Sequence, residues 1–252
     1  MQGDSALGRA LVLVRSLRAG CAWDRAQTPQ TLRPYLVEEV LELDQAIRVG
    51  DPIALRDELG DLLLHLAFQI VIAEERSQFN AETVTRGLEQ KMRRRHPDLF
   101  AGRQTGADHE NWEHSKRRER GAAGSLAGLP STLPPLLMAY RLQARAAGVG
   151  FDWPDQQGPL AKVREEAAEV ERASKDGKPD ALRDEVGDLL FAVVNLARKL
   201  GVDPGAALEQ ANDKFTTRFD AMEKLAQERG LEVGRATVED LDKLWDEVKA
   251  RR

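Results

Sequence analysis

Apolar residues recur at spacings of three and four along most of the chain, which is the pattern of amphipathic helices. The first such segment covers residues 5–18, and the segment at 52–76 is apolar round much of its circumference. A helix of that second kind is typical of the centre of a bundle. The pattern predicts an all-α protein, with further helices at 31–50, 81–96 and 108–121 and from residue 133 to the end of the chain.

Two neighbouring helical segments in the second half of the chain carry acidic residues that share a face. Residues three or four apart on a helix lie on the same side. The polar break at 174–180 contains Gly177 and Pro179, so we expect the two helices to fold back as an antiparallel hairpin. The acids that this hairpin would bring together are Glu165, Glu166, Glu169, Glu185 and Asp188.

Carboxylates gathered in this way need a positive partner. Two of them about 6 Å apart repel by roughly 3 kcal/mol at an effective dielectric constant of about 20. A divalent cation relieves that repulsion, and hard oxygen ligands suit Mg²⁺ or Mn²⁺. A single E-E-x-x-E motif is more often a solvated helix face, so the motif alone does not establish a metal site.

The acidic pattern occurs a second time, 127 residues earlier, and a solvated surface does not explain such a repeat. The differences 165 − 38 and 188 − 61 both equal 127, and the segments RDELGDLL and RDEVGDLL repeat with the same offset. We therefore predict two tandem helical-bundle domains, at 1–121 and 122–252, with a Gly-rich linker at 121–130. The acids of the first half are Glu38, Glu39, Glu42, Glu58 and Asp61.

Gly60 and Gly187 lie at equivalent positions inside the acidic helices of the two halves. Glycine in the interior of a helix costs about 1 kcal/mol relative to alanine. A close approach of another backbone segment would compensate for that cost. We therefore expect such an approach at both glycines.

Composition agrees with a helical protein and limits its partners. Of the 252 residues, 42% are hydrophobic and only 5% are aromatic, which favours helices over sheets. The formal net charge of −5 argues against a protein that binds polymeric nucleic acid. A single nucleotide remains compatible with this charge, because a bound metal ion reverses the local sign.

Three features indicate a cytoplasmic protein without membrane contact. Cys21 is the only cysteine, so no intramolecular disulfide can form. The first ten residues lack the apolar segment of a signal peptide. The most apolar stretch, at 62–73, is too short to span a bilayer and contains His65 and Gln69.

Two kinds of chemistry use paired helices that carry carboxylates. A di-iron site usually needs Glu-x-x-His on two helices; neither half has that motif, and His109 and His114 are poorly spaced for one helix face. Metal-assisted hydrolysis of a phosphate ester or anhydride needs carboxylates with a nearby lysine or arginine. Lys162 lies one turn before the acids, and Lys214 and Arg218 lie four apart on a later helix. The second chemistry is therefore favoured.

Seven segments stand out along the chain: CAWDRAQT, LRPYLVEE, DELGDLL, RRHPDLF, VGFDW, DEVGDLLFAVVNLAR and ANDKFTTRF. Together they resemble the MazG family of nucleoside triphosphate pyrophosphohydrolases over nearly the whole chain. The resemblance implies an all-α bundle, a homodimer and Mg²⁺, with Mn²⁺ as an alternative. It also implies hydrolysis between the α- and β-phosphates, which gives a nucleoside monophosphate and pyrophosphate.

The resemblance also implies roles for individual residues, with the main active site in the second half. Glu165 would orient water rather than bind the metal, and Arg218 is added to the nucleotide contacts from its spacing to Lys214. The metal ligands would be Glu166, Glu169, Glu185 and Asp188. The nucleotide contacts would be Lys162, Asn212, Lys214, Phe215 and Trp245.

The first half keeps all five acids but departs from the second half elsewhere. Tyr35 stands where the offset of 127 places Lys162, and Glu89 rather than an asparagine precedes Lys91 by two residues. The segment KMRRRH lies four residues further from its acids than KFTTRF does, since 91 − 61 is 30 and 214 − 188 is 26. We predict a metal-competent but weak first site, whose main role is assembly.

Two other functions are compatible with the same residues. Related helical enzymes share the acidic motifs, so a dUTP-type pyrophosphatase of narrower specificity is one alternative. The other is a non-catalytic tandem helical scaffold, in which the acids form a polar seam and metal binding is incidental. Metal-dependent nucleotide binding separates the scaffold from both enzymes.

Overall fold

The structure is a computed structural model that describes residues 5–102 and 124–250. The chain divides into two compact units, Met1–Thr105 and Gly106–Arg252. All regular secondary structure within the described ranges is helical, which confirms the all-α prediction. The boundary predicted at 121–122, the helix predicted at 108–121, and both His109 and His114 lie outside the described residues, so the domain limits stay a prediction.

The first unit is built round its fourth helix. Helix α4 packs against α1 and α3, and its second half supplies Ala67, Phe68, Val71 and Ile72 to the buried core. The helix predicted at 52–76 is therefore central to its bundle, as expected. The helices of this unit are α1 (Ala6–Gly20), α2 (Ala22–Ala26), α3 (Pro29–Val49), α4 (Pro52–Glu75), α5 (Ala81–Arg95) and α6 (Pro97–Phe100).

The second unit contains a closely packed helical hairpin and a separate apolar cluster. Helices α8 and α9 pack along each other, and α7 packs against α9. A small core joins α10 to α11 through Met222, Leu225, Ala226 and Leu244. The helices of this unit are α7 (Pro135–Ala147), α8 (Gln157–Asp176), α9 (Pro179–Lys199), α10 (Pro204–Glu228) and α11 (Val238–Ala250).

Local sequence signals set the ends of the helices that carry the acids. Asp51 caps α4, because its carboxylate accepts a hydrogen bond of 2.8 Å from the Ile53 amide, and proline follows at the first helical position. Gly177 ends α8 with a φ of 65°, a left-handed conformation that glycine adopts without strain, and α9 begins at Pro179. The predicted turn between the two acidic helices is therefore confirmed.

The expected close backbone approach at Gly60 and Gly187 is wrong. A β-carbon built at either glycine would meet no atom of the described structure within 4 Å. The contacts of the described residues therefore give no reason for glycine at these two positions. None of the described helices is both long and apolar enough to cross a membrane.

Candidate active site

The hairpin of α8 and α9 brings the five acids of the second half together. Glu165, Glu166 and Glu169 on α8 each offer a carboxylate oxygen, and these oxygens lie within 4.8 Å of one another. Glu166 forms a second group of the same kind with Glu185 and Asp188 of α9. One residue, Glu166, thus belongs to both groups.

Glu166 is also the most deeply buried of these acids, with only 4% of its surface exposed. Its Oε1 atom lies 2.5 Å from the Nζ atom of Lys162, one helical turn away. Its Oε2 atom is buried and has no hydrogen-bond partner among the described residues. A buried carboxylate is costly unless its oxygens are paired, so the ion pair offsets only part of the cost.

Lys162 is shared between two acids. Its Nζ atom also lies 2.9 Å from Oε1 of Glu165. The hydrogen bond to Glu166 and then the one to Glu165 raise the pKa of Lys162 well above its ordinary value. The ammonium group is therefore charged throughout the neutral and alkaline range, and it offsets part of the negative charge around Glu166.

Negative charge nevertheless remains in excess. The pKa of Glu169 is raised, first by loss of hydration and then by the close approach and negative charge of Glu166, with a further contribution from the charge of Glu185. Within the described residues, both candidate groups of this unit consist of carboxylates without histidine or cysteine. An all-oxygen ligand set with surplus negative charge and a buried unpaired oxygen fits a hard divalent cation such as Mg²⁺ or Mn²⁺.

A cavity of about 800 Å³ adjoins the acids. Its charged lining residues are Lys162, Glu166 and Asp188 at the acidic hairpin, and the ion pair of Asp152 and Arg198. Most of the remaining wall is apolar or aromatic, with a few polar side chains between. These other lining residues are Leu126, Leu142, Gln143, Ala146, Gly150, Phe151, Trp153, Phe191, Ala192 and Asn195.

The segment that carries Phe151 and Trp153 is tied to the end of α9. Asp152 pairs with the guanidinium of Arg198 and, at 3.2 Å, with the Nζ atom of Lys199. Loss of hydration opposes the charge of Asp152, but hydrogen bonds from Arg198 and Lys199 outweigh it and lower the pKa of this carboxyl. Lys199 also donates a hydrogen bond of 2.6 Å to the backbone carbonyl of Trp153. Ion pairs and a hydrogen bond therefore fix this part of the cavity wall to the end of α9.

The indole of Trp153 rests directly on the first turn of α8. A β-carbon at Gly158 would lie 2.3 Å from the Cε3 atom of Trp153, a distance that no side chain tolerates. Glycine at 158 is therefore what lets the indole lie against the helix. This contact fixes one aromatic wall of the cavity.

The other predicted nucleotide contacts lie on α10 and α11. The ring of Phe215 is 5.4 Å from that of Trp245 and 5.8 Å from that of Phe219, measured between centroids. Of the predicted nucleotide contacts, Lys162 lines the cavity, whereas those on α10 and α11 are not among its lining residues. The roles assigned to Asn212, Lys214, Phe215, Arg218 and Trp245 stay predictions.

The first unit has a related but different acidic group. Glu39, Glu58 and Asp61 offer carboxylate oxygens within 4.8 Å of one another; Glu38 and Glu42 are not part of that group. The pKa of Glu39 is raised, first by loss of hydration and then by the charge of Asp61.

The side chain that faces the central acid, Glu39 in the first unit and Glu166 in the second, differs between the two units. In the first unit, the Nε2 atom of His65 on α4 lies 3.6 Å from Oε1 of Glu39 on α3. In the second unit, Lys162 and Glu166 lie on one helix, α8. The repeat already indicates this difference, because the residue equivalent to His65 in the second half, 127 positions later, is Ala192. Sequence reasoning used His65 only to argue against a membrane span and missed the contact.

Comparison with known proteins agrees with the fold and with the acidic hairpins. A family model described as the MazG nucleotide pyrophosphohydrolase domain matches residues 27–100 and 156–222. These two segments include the acids of both halves. The chain is therefore a protein of the nucleotide pyrophosphohydrolase class, and the domain model matches it in two segments.

Individual relatives cover most of the chain. A nucleoside triphosphate pyrophosphohydrolase/pyrophosphatase MazG from Thermotoga maritima is 44% identical over 91% of this chain and 89% of its own length. A nucleoside triphosphate pyrophosphohydrolase from Escherichia coli is 38% identical over 96% of this chain and 97% of its own length. An uncharacterised protein from Bacillus subtilis, YabN, is 40% identical over 94% of this chain and half of its own length. The chain belongs to the MazG family.

Proposed function

We propose that the chain is a Mg²⁺-dependent nucleoside triphosphate pyrophosphohydrolase that removes unwanted nucleotides from the cytoplasmic pool. Its substrates would be ribo- and deoxyribonucleoside triphosphates, and its products a nucleoside monophosphate and pyrophosphate. The observation that carries the proposal is the double carboxylate group around Glu166 in the α8–α9 hairpin. The names of the relatives from Thermotoga maritima and Escherichia coli support the same activity.

The metal would be held by Glu166, Glu169, Glu185 and Asp188. The unpaired Oε2 atom of Glu166 and the all-carboxylate ligand set support this assignment. Bound Mg²⁺, or Mn²⁺, would polarise the phosphate oxygens and lower the pKa of water. We assign Glu165 the orientation of that water, because its carboxylate is exposed beside the buried acid and is held by Lys162.

The reaction is a substitution at phosphorus that cleaves the anhydride between the α- and β-phosphates. The oxygen of water forms a bond to one of the two phosphorus atoms, and the bond from that phosphorus to the bridging oxygen breaks. The proton of water passes to the Glu165 carboxylate and on to solvent, while pyrophosphate leaves. We assign Lys162, Lys214 and Arg218 to the phosphates, because their positive charges complement the polyphosphate.

A panel of nucleoside triphosphates with Mg²⁺ tests the proposal when the products are identified by ³¹P NMR. We expect pyrophosphate and monophosphate, and in ¹⁸O-labelled water the product that carries the label identifies the phosphorus that water attacks. Release of orthophosphate would reject cleavage at the α–β bond. Turnover of dUTP alone would point to the narrower enzyme, and the absence of Mg²⁺-dependent nucleotide binding by calorimetry would point to a scaffold.

A homodimer is part of the same proposal. Val186, Leu190 and Val193 lie three and four residues apart on α9 and are each at least 40% exposed. Such a stripe on a helix that also carries the active-site acids suits a second copy of the chain, because contiguous exposed apolar surface marks interaction sites.

A further inference from the structure

The cavity beside the acids offers more apolar surface than a polyphosphate can use. Its volume of about 800 Å³ lies in the range of small-molecule sites. Lys162, Glu166 and Asp188 occupy one part of its lining, while Leu126, Leu142, Ala146, Phe151, Trp153 and Phe191 supply apolar and aromatic surface. Phosphates bind charged groups and metal ions, so the apolar part must serve another portion of a ligand.

Gln143 lines the cavity and carries a buried hydrogen-bond acceptor without a partner among the described residues. Its Nε2 atom donates a hydrogen bond of 2.8 Å to the backbone carbonyl of Phe191. That bond fixes the amide orientation, because the reverse orientation would set two carbonyl oxygens against each other. The Oε1 atom is then buried and has no partner among the described residues. A buried acceptor without a donor is costly, and a ligand N–H group would remove that cost.

Asn195 adds a hydrogen-bond donor to the same lining. Its Oδ1 atom accepts hydrogen bonds from Nε and Nη2 of Arg198, at 3.1 and 2.8 Å. Arg198 is itself held by the carboxylate of Asp152. The Nδ2 end of the Asn195 amide therefore faces away from Arg198. An acceptor and a donor on side-chain amides suit the edge of a nucleobase, which carries N–H groups and acceptor atoms side by side.

Two exposed aromatic side chains complete the lining. Phe151 is 82% exposed, and Trp153 is about half exposed although its indole rests on Gly158. Rings held open to solvent at the edge of a cavity are stacking surfaces for a flat ligand. Every nucleobase can stack on an aromatic side chain, and such stacking contributes substantially to binding.

We propose that this cavity binds the nucleobase of the substrate. The base would stack on Phe151 and Trp153, Gln143 Oε1 would accept a hydrogen bond from a base N–H group, and the triphosphate would extend to Glu166 and Asp188. This inference rests on the proposed function, because it assigns a substrate portion to a second part of the same site. The competing surface for the base is the aromatic pair Phe215 and Trp245.

Binding of reaction products without metal tests the inference independently of turnover. In EDTA, calorimetry would compare the four common nucleoside monophosphates with ribose 5-phosphate, which lacks a base. We expect at least one monophosphate to bind about ten-fold more tightly or better. Gln143→Met and Phe151→Ala should each weaken the binding of that monophosphate by about ten-fold and leave the affinity for ribose 5-phosphate unchanged.

Matched variants exclude general effects. Gln227→Met alters an exposed glutamine on α10, and Phe79→Ala removes an exposed phenylalanine of the first unit; neither should change any affinity. Melting temperatures and light scattering would verify that every variant folds and keeps its oligomeric state. Trp245→Ala should either weaken the binding of the monophosphate and of ribose 5-phosphate by the same factor or change neither affinity.

Three results would overturn the inference. One is equal affinity of wild type for all monophosphates and ribose 5-phosphate; another is an equal loss for both ligand types in Gln143→Met and Phe151→Ala. The third is a base-dependent loss confined to Trp245→Ala, which would move the base to α10 and α11. Base-dependent binding lost in the two cavity variants, together with no triphosphate turnover by wild type, would instead sustain the pocket and reject the proposed activity.

Discussion

Glu166 belongs to both carboxylate groups of the second unit and is almost fully buried, so its charge is the most expensive in the site. Lys162 offsets part of that cost through a contact of 2.5 Å. The second oxygen of Glu166 has no partner among the described residues. A single side chain thus controls both the capacity of the site for cations and the local electrostatic balance.

The substitution Glu166→Gln keeps the shape of the side chain and removes its charge. Both carboxylate groups then lose a ligand, and Lys162 loses its closest partner. We expect kcat/KM for pyrophosphate release to fall by about 100-fold or more, because loss even of groups that only support metal ligands costs about 10–100-fold. The initial rate of pyrophosphate release, measured over a range of Mg²⁺ concentrations, gives the answer.

Glu171→Gln is the matched control for this substitution. Glu171 is an exposed acid of the same helix, and it pairs with Lys175 at 2.6 Å. Exposed pairs of this kind contribute little, so the rate should stay near that of wild type. A Glu166→Gln enzyme with the rate and Mg²⁺ dependence of wild type would reject the metal assignment.

The ion pair of Asp152 makes the stability of the folded protein depend on pH in a defined way. Its pKa in the folded protein is lowered from an unfolded value of about 3.9. The unfolded state therefore binds the proton more tightly, and the ion pair contributes stability above pH about 4 that is lost as the pH falls through the folded pKa. Denaturant unfolding of wild type and Asp152→Asn at several pH values should give a difference that is constant near neutrality and shrinks below pH 4. A difference independent of pH would contradict the ion pair.

Residue types alone did not identify the cavity. The acids and Lys162 stand out because their spacing and their repeat indicate chemistry, and the structure gathers the acids as the register implied. Gln143 and Phe191, in contrast, are 48 positions apart, and each lies in an ordinary amphipathic helix. Their contact depends on how α7 packs against α9, which no local pattern specifies.

At the scale of elements, two helical hairpins share one acidic register but differ in the side chain that faces the central acid, Glu166 in α8–α9 and Glu39 in α3–α4. In α8–α9 the partner is a lysine on the same helix, and in α3–α4 it is His65 on the neighbouring helix. The lysine carries a positive charge, whereas a histidine side chain is charged only when it is protonated. The two hairpins therefore hold their acids under different electrostatic conditions.

Glu39→Ala and Glu166→Ala compare the two hairpins directly. We expect the first variant to keep most of the turnover, because the first unit lacks the lysine of the α8–α9 site. The second variant should lose nearly all of it. Steady-state kinetics on the same triphosphate measures both. Equal loss in the two variants would show that the weak role predicted for the first site is wrong.

Helix ends are marked by residues that are recognisable in the sequence. Asp51 and Asp203 both cap helices that begin with proline, and Gly177 closes α8 in a left-handed conformation. These signals are local, so they can be recognised without knowledge of the fold. The compensation expected at Gly60 and Gly187 depends on neighbours from elsewhere, and that expectation failed.

At the scale of the whole molecule, the exposed stripe of Val186, Leu190 and Val193 supports the proposed homodimer. These side chains lie on the helix that carries Glu185 and Asp188, so a second copy seated there would adjoin the active site. A stripe of this kind on a bundle helix is a typical surface for helix pairing.

Leu190→Glu tests the stripe, because Leu190 is 56% exposed and its replacement places a charge in the middle of the stripe. We expect the mass measured by light scattering to fall to that of a single chain. Val238→Glu, at an exposed apolar residue of α11, is the control and should keep the mass of wild type. An unchanged mass for Leu190→Glu would remove the stripe from the interface.

The contact between Trp153 and Gly158 limits how this enzyme can be re-engineered. Any bulk added at position 158 would push the indole away from α8 and deform the wall that we assign to the base. Libraries that aim to change which nucleotide is accepted should therefore vary positions 143 and 151 and leave 158 untouched.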